Sequence, residues 1–237
     1  MARAAPTRRT VIRLYLYPLW LRLWHWSNAV LFLVLILTGI SMHYADLTSP
    51  WVPFRVARVL HNLAGILLAL LYLGFLIGNA VSGNWRYYVP PCRGLFRGVR
   101  KQLHYYLVGI FRGEPHPFHP SERSKFNPLQ QVAYLVVMYV LMPLLVGTGV
   151  LLLFPEWAPE RVLGWGGVWP MAVAHSGVAF LLTLFLVAHL YLATTGERVA
   201  ENFCAMVRGW HEVAAAEEAD DGKDALLDPK ALEPSDR

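Results

Sequence analysis

Two histidines lie fourteen residues apart in the last strongly apolar stretch of the chain, residues 169–195. A helix turns by about 100° and rises by about 1.5 Å per residue, so His175 and His189 would share one face and lie about 21 Å apart along the axis. An ionisable or polar side chain inside a lipid-spanning helix is costly and usually has a function. The spacing therefore predicts two ligand positions at different depths on one membrane-spanning helix.

Four apolar runs dominate the sequence and indicate an integral membrane protein. Of the 237 residues, 56% are hydrophobic and only 16% are charged, whereas about 25% of an average soluble domain is charged. Each run is long enough to cross a hydrocarbon core of about 30 Å as a helix, and none contains Asp, Glu, Lys or Arg. The runs are residues 23–43, 59–80, 129–154 and 169–195. We expect an all-α fold, an integral membrane four-helix bundle in contact with lipid.

The basic residues predict the orientation of the spans, because cytoplasmic segments of membrane proteins are enriched in Lys and Arg. They are concentrated before the first span, between the second and third spans, and in the tail; the two other loops carry only Arg55, Arg58 and Arg161. Both termini should therefore be cytoplasmic. The net charge of +5 reflects this bias, so we expect no nucleic-acid partner.

Three regions follow from these patterns. Residues 1–21 form a basic interfacial N-terminal segment, and residues 22–196 form the four-helix membrane domain. Residues 197–237 form a cytoplasmic C-terminal segment whose acidic end is predicted to be disordered. Pro143 is expected to kink the third span, and residues 103–111 to form an interfacial helix. The two cysteines fall on the cytoplasmic side, so neither a disulfide nor covalent haem attachment is expected.

The intramembrane histidines form two pairs when they are sorted by predicted depth. His25 and His189 lie toward the cytoplasmic side, whereas His61 and His175 lie toward the outer side. Two imidazoles from two helices at each depth are typical of bis-histidine ligation of haem iron held without covalent attachment. Neutral imidazole binds iron without bringing a charge into the lipid. Iron bound on both faces has no open position, which predicts electron transfer and no catalytic residue.

Other interpretations of the histidines stay open. An intramembrane histidine is also found as a packed, hydrogen-bonded residue, and Gly65 after His61 serves either a flat ligand or helix packing. Bare zinc is disfavoured because each depth supplies two histidines and no Cys, Asp or Glu. His43 could compete with His61 for the outer site, although its position at the end of the span favours an interfacial role. His104 and His211 are interpreted as ordinary histidines of polar segments. His116 and His119 have His-x-x-His spacing, but they lie between prolines in a loop, where helical ligand spacing does not apply, so a metal site there is disfavoured.

Several short motifs resemble those of a known family. The sequence Trp-His-Trp-Ser-Asn at residues 24–28, His61-Asn-x-x-Gly65 and the His175/His189 spacing resemble the dihaem cytochrome b subunits of respiratory complexes, including those of formate dehydrogenase and nickel–iron hydrogenase. The thiosulfate reductase cytochrome b subunits are the closer likeness, which covers about residues 20–210. It depends on four further motifs, at residues 113–120, 125–131, 153–156 and 191–196.

The resemblance implies two b-type haems, ligated by His25 with His189 and by His61 with His175. It also implies a quinone site beside the cytoplasmic-side haem, with Asn127 in the motif that lines the pocket. Asn127 followed by proline is equally the pattern of a helix N-cap, so both roles stay open. Weaker candidates for quinone contact are Lys125, Gln130 and Gln131.

The favoured hypothesis is a multi-pass dihaem cytochrome b of a bacterial inner membrane. It would be the electron-transfer subunit of a quinone-linked respiratory oxidoreductase, connecting quinone on the cytoplasmic side to an outer-face iron–sulfur or molybdenum subunit. The alternative is a non-redox transporter or assembly factor whose histidines handle metal ions or protons. The absence of an intramembrane carboxylate from the four apolar runs weakens that alternative.

Overall fold

Four long helices form the framework of the protein. The computed structural model describes residues 11–44, 52–91, 93–118, 120–121, 124–196 and 199–214. Four helices in this part of the chain are long and apolar enough to cross a membrane: Leu19–His43, Phe54–Val81, Pro128–Leu153 and Trp169–Ala193. The predicted all-α, four-helix membrane architecture is confirmed.

The first two spans begin earlier than the hydropathy of the sequence predicts. Helix α1 (Leu19–His43) includes Arg22, and α2 (Phe54–Val81) includes Arg55 and Arg58. Long arginine side chains near the end of a membrane helix can keep their charged groups at the interface while their apolar stems lie along the helix. A charged residue therefore marks the end of an apolar run in the sequence, but the helix itself continues past it.

The third span consists of two α-helices joined by a π-helical turn. Helix α4 (Pro128–Val136) leads into the turn at Val137–Leu141, and α5 (Met142–Leu153) follows. Within the turn the Met142 N–H donates to the Val137 carbonyl, five residues back. The next residue, Pro143, has no N–H for the Met138 carbonyl; the Tyr72 hydroxyl of α2 donates to it instead, at 2.7 Å.

The π turn is the form that the predicted disturbance around Pro143 takes. One extra residue in a helix rotates everything after it by about 100° relative to an uninterrupted α-helix. The turn therefore sets the face that α5 presents to its neighbours, and the hydrogen bond from Tyr72 holds it in place.

The spans pack in sequence order, α1 on α2 and α5 on α6 (Trp169–Ala193), with α2 also contacting α5. Close approach of α1 and α2 depends on Gly78, where a Cβ would lie 3.2 Å from the Trp20 ring. The buried core includes Leu68, Phe75 and Leu182. Many of the other apolar side chains of the spans are exposed, as expected for helices surrounded by lipid.

The four histidines of the predicted pairs all lie in one compact unit, which spans Tyr17–Arg86 and Ala133–Gly209. It also contains 3₁₀ turns at Asn84–Tyr87 and Pro155–Trp157, a hairpin of β2 (Arg161–Val162) and β3 (Trp165–Gly166), and helix α7 (Glu201–Arg208). Helix α7 is fixed to the start of α1, because Arg22 donates to the Val207 carbonyl at 2.7 Å and Trp26 to the Met206 carbonyl at 3.4 Å.

The second compact unit comprises Met1–Leu16, Tyr87–Val132 and Trp210–Arg237. Strands β1 (Val11–Tyr15) and β4 (Trp210–Ala214) pair antiparallel, so described residues near both ends of the chain form one small ribbon. The interfacial helix predicted at residues 103–111 is instead α3 (Leu95–Leu107), followed by a 3₁₀ turn at Gly109–Arg112. The predicted disorder of the acidic tail falls outside the described residues.

Candidate metal and cofactor sites

The structure brings the four intramembrane histidines together as the two predicted pairs. Pair I consists of His25 on α1 and His189 on α6, with ring centres 6.1 Å apart. Pair II consists of His61 on α2 and His175 on α6, with ring centres 6.3 Å apart. Helix α6 thus contributes one imidazole to each pair, and a different helix supplies each partner.

Both separations fit a single metal ion held between two imidazoles. A metal–nitrogen bond to histidine is about 2.0–2.1 Å, and an imidazole nitrogen lies about 1.1 Å from its ring centre, so two rings on opposite sides of one ion have centres about 6.3 Å apart. Rings packed edge to face can have the same separation, so the distance is compatible with a metal ion and does not by itself require one. The donor set of each pair therefore fits an ion bound on two opposite faces.

A threonine on the neighbouring helix orients His61 of pair II. The Thr38 Oγ1 lies 3.0 Å from the His61 Nδ1, and the Thr38 hydroxyl donates its own proton to the Val34 carbonyl at 2.7 Å. Because that proton is already used, the hydroxyl accepts from His61. The proton therefore lies on Nδ1, and Nε2 keeps the lone pair that binds a metal.

The same arrangement supports the second histidine of pair II. The Thr148 Oγ1 on α5 lies 3.0 Å from the His175 Nδ1 and donates to the Leu144 carbonyl at 2.6 Å. Both rings of pair II therefore carry their proton on Nδ1 and leave Nε2 for a ligand between them.

A glycine follows each of these threonines and lets the histidine approach the helix. A Cβ at Gly39 would lie 3.5 Å from the His61 Cε1, and a Cβ at Gly149 would lie 3.2 Å from the His175 Cε1. Gly65 differs, since no described atom lies within 4 Å of a Cβ built there. Its two predicted roles, in ligand binding and in helix packing, therefore stay predictions.

Pair I lacks this support among the described residues. The buried Nδ1 of His25 has no hydrogen-bond partner there. Its ring instead meets the Trp26 ring edge-on, with centres 5.1 Å apart, while the His189 ring stacks on Phe185 at 5.8 Å. Aromatic rings thus flank pair I, whereas a threonine hydroxyl contacts the Nδ1 of each ring of pair II.

Asn127 is the N-cap of α4, as one of its two predicted roles required. Its Oδ1 accepts from the Gln130 N–H at 2.9 Å, and the Gln130 Oε1 accepts from the Asn127 N–H at 3.1 Å. This reciprocal pattern satisfies backbone donors at the start of the helix. The Asn127 Nδ2 is not used by the cap and donates to the Tyr106 hydroxyl of α3 at 3.4 Å.

The other quinone-contact candidates lie near the start of the same helix. The Gln131 Nε2 donates to the Tyr87 carbonyl at 3.3 Å, and the Lys125 Nζ lies 4.1 Å from the centre of the Tyr87 ring. Burial lowers the pKa of Lys125 to about 8 and raises that of Tyr106 above its ordinary value. The cation–π contact with Tyr87 favours the charged ammonium, but desolvation outweighs it.

Comparison with known proteins identifies the family. The family "Prokaryotic cytochrome b561" matches residues 16–209, which include all four spans and both histidine pairs. The chain belongs to this family. It is therefore a membrane b-type cytochrome, and membership of this family implies b-type haem.

Two relatives of this cytochrome show its range. A protein of Escherichia coli (strain K12) named as cytochrome YdhU is 44% identical over 199 residues, covering 84% of this chain and 75% of the relative. A protein of Cupriavidus necator named as a Ni/Fe-hydrogenase B-type cytochrome subunit is 25% identical over 210 residues, covering 80% of this chain and 82% of the relative. Both similarities extend over most of the membrane domain.

The remaining histidines of this cytochrome do not join either pair. His43 is exposed at the end of α1, where its ring meets Tyr44, and His104 is exposed on α3. The His116 Nδ1 accepts from the Phe118 N–H at 3.3 Å, which explains its position in the loop. His211 lies in β4, and His119 falls outside the described residues. Within the described chain, no cluster of three or more His, Cys, Asp or Glu side chains could hold a bare metal ion.

Thr38 and Thr148 are the site residues that sequence reasoning missed. Both occur as a Thr-Gly dipeptide in a span, and each lies on the helix that precedes the one carrying its histidine. A repeated dipeptide in otherwise unrelated spans was therefore the available signal. Its meaning requires the rotation of α1 against α2 and of α5 against α6, which sequence periodicity does not give.

Proposed function

We propose that this cytochrome binds two b-type haems, one at pair I and one at pair II, and carries electrons between the two ends of the membrane bundle. The observation that supports this most strongly is the separation of the ring centres, 6.1 and 6.3 Å, which matches two imidazoles on opposite faces of one iron. When bound, each haem would supply a one-electron carrier.

The protein's own part is to hold each iron from both sides and to exclude other ligands. Two imidazoles per iron leave no open coordination position, which favours electron transfer over oxygen chemistry. Helix α6 places its two histidines about 21 Å apart along the axis, and Thr38 and Thr148 fix the orientation of pair II. Four neutral imidazoles perform these tasks without a charged side chain in the lipid.

The haem proposal is tested by counting haem in single-histidine variants. Purified wild-type protein should contain about two pyridine-extractable haems per chain and show b-type bands in the reduced-minus-oxidised spectrum. His61→Ala and His175→Ala should each lose the same haem, and His25→Ala and His189→Ala the other. His43→Ala is the matched control and should keep both. A colourless wild-type protein, or variants that do not group by pair, would contradict the proposal.

We also propose a quinone site at the start of α4, on the predicted cytoplasmic side. The support is the amide Nδ2 of Asn127, which the N-cap does not use and which has a second N–H besides the one donated to the Tyr106 hydroxyl. A quinone carbonyl needs such a hydrogen-bond donor. The nearby Lys125, with a pKa of about 8, can exchange a proton near neutral pH.

A substitution that keeps the cap but removes the amide tests the quinone site. Serine is as good an N-cap as asparagine, so Asn127→Ser should leave the thermal stability unchanged. If the amide contacts quinone, the same variant should bind a quinol analogue at least tenfold more weakly, measured by quenching of the analogue's fluorescence. Unchanged binding in a stable Asn127→Ser protein would restrict Asn127 to its structural role.

The proposed context is an oxidoreductase complex of the bacterial inner membrane. The relative named as a hydrogenase cytochrome subunit supports a role as the membrane subunit, and the sequence motifs resemble those of thiosulfate reductase. An outer-face partner with iron–sulfur or molybdenum centres would exchange electrons with pair II. Copurification of such a subunit with the tagged cytochrome from its native membrane tests this, and recovery of the cytochrome alone under mild solubilisation would count against it.

A further inference from the structure

The two histidine pairs differ in what lies behind the metal-binding nitrogen. Each ring of pair II has a threonine hydroxyl 3.0 Å from its Nδ1. In pair I, the His25 Nδ1 is buried with no partner in the described part of the chain. The difference lies in hydrogen bonding rather than in the ligands themselves, which are imidazoles in all four positions.

We propose that Thr38 and Thr148 are positioning residues that lower the reduction potential of the haem at pair II below that of the haem at pair I. The proposal rests on the proposed bis-histidine ligation of two haems. It assigns to the two threonines an effect on electron flow that acts through His61 and His175, without contact with the iron.

The physical reason is the effect of a hydrogen bond on the basicity of imidazole. When Nδ1–H donates to an acceptor, the ring gains electron density and Nε2 becomes a stronger donor to the metal. A stronger donor stabilises the more positively charged, oxidised iron more than the reduced iron, so the potential falls. In pair II this acts on both axial ligands, since each threonine has already donated its own proton to its helix.

The low polarity of the membrane increases the contrast between the pairs. A hydrogen bond is electrostatically stronger at low dielectric than in water. Trp26 and Phe185 present apolar rings to pair I. No hydrogen bond from a described residue therefore raises the basicity of the His25 imidazole. Transfer of an electron from the haem at pair II to the haem at pair I would therefore lower the free energy. With the predicted orientation, this order favours flow from the outer face toward the quinone side.

Valine variants of the threonines test the proposal, because valine keeps the shape of threonine and lacks the hydroxyl. The experiment is a spectroelectrochemical titration of purified Thr38→Val, Thr148→Val and the double variant. The pair II component is identified as the one that His61→Ala removes. The matched control is Thr183→Val on α6: the Thr183 hydroxyl donates to the Ala179 carbonyl at 2.8 Å and has no hydrogen bond to a histidine among the described residues.

In the double variant, we expect the ratio of reduced to oxidised haem at pair II to increase about tenfold at a fixed potential, equivalent to an upward shift of 59 mV for one electron. Pair I should not change, and the control should match wild type. Thr38→Ser and Thr148→Ser, which retain a hydroxyl, should restore the wild-type potential and exclude a packing defect as the cause.

Three results would overturn the proposal. They are an unchanged pair II potential in a double variant that retains two haems, a shift confined to pair I, and a shift of equal size in the Thr183→Val control. Failure of the underlying ligation is distinguishable, because wild-type protein would then lack two haems or His61→Ala would remove neither. Electron paramagnetic resonance of the oxidised protein gives an independent readout, since the low-spin signal of pair II should change with the axial hydrogen bonds.

Discussion

Replacing Tyr72 with phenylalanine should lower the free energy of unfolding of the protein by about 1–2 kcal/mol. The Tyr72 hydroxyl is buried and donates to the Met138 carbonyl at 2.7 Å. An orphaned buried polar group costs about 1–3 kcal/mol in soluble proteins, whereas hydrogen bonds between membrane helices contribute about 0.6 kcal/mol on average and at most about 1.7. The Met138 carbonyl belongs at the upper end of the membrane range, because Pro143 has no N–H to replace the lost donor.

The measurement is reversible unfolding in mixed detergent micelles, with Tyr191→Phe as a control for loss of an exposed hydroxyl. The Pro143→Ala background isolates the mechanism, since alanine supplies the backbone N–H that proline lacks. In that background Tyr72→Phe should cost less than half as much. Independent substitutions add within about 0.3–0.5 kcal/mol. A cost that is the same in both backgrounds would refute the link between the π turn and this tyrosine.

Three further predictions concern the two ends of the third span. Asn127→Ala should lower the free energy of unfolding by about 1 kcal/mol through loss of the N-cap, measured by the same unfolding assay with serine as the control. Because burial lowers the pKa of Lys125 to about 8, the NMR signal of this ¹³C-methylated side chain should titrate near pH 8. The free energy of unfolding should increase as the pH rises from about 8 to 10.5, the ordinary pKa of lysine, since the unfolded chain binds more protons over this range. Titration near 10.5 would refute the shift. Gly149→Ala should reduce haem occupancy at pair II, since its Cβ would lie 3.2 Å from His175, whereas Gly39→Ala, at 3.5 Å from His61, should be tolerated; equal effects would contradict this.

The sequence predicts the four spans from the length of the apolar runs, and it predicts the grouping of the histidines from the helical repeat and their depth. Hydrophobic length identifies a membrane helix, and a helical repeat places His175 and His189 on one face. The helix that supplies each partner follows from depth once the orientation is assumed. The structure brings the same residues together.

Two kinds of feature could not be predicted from the sequence. The ribbon of β1 and β4 joins segments near opposite ends of the chain, and each strand is too short to give a pattern of its own. The contacts of Thr38 and Thr148 depend on the rotation of neighbouring helices, which for Thr148 follows the π turn at Val137–Leu141. Such features come from tertiary packing, and local sequence carries little information about them.

A single continuous helix, α6, supplies one ligand to each proposed haem. The number of residues between His175 and His189 therefore sets the distance across which an electron must tunnel. Small movements of the other helices change this distance little. Inserting one residue between them would turn one imidazole by about 100° and lengthen the gap by about 1.5 Å. Family members with different partners can thus vary their loops and tails freely, provided that this one interval keeps its length.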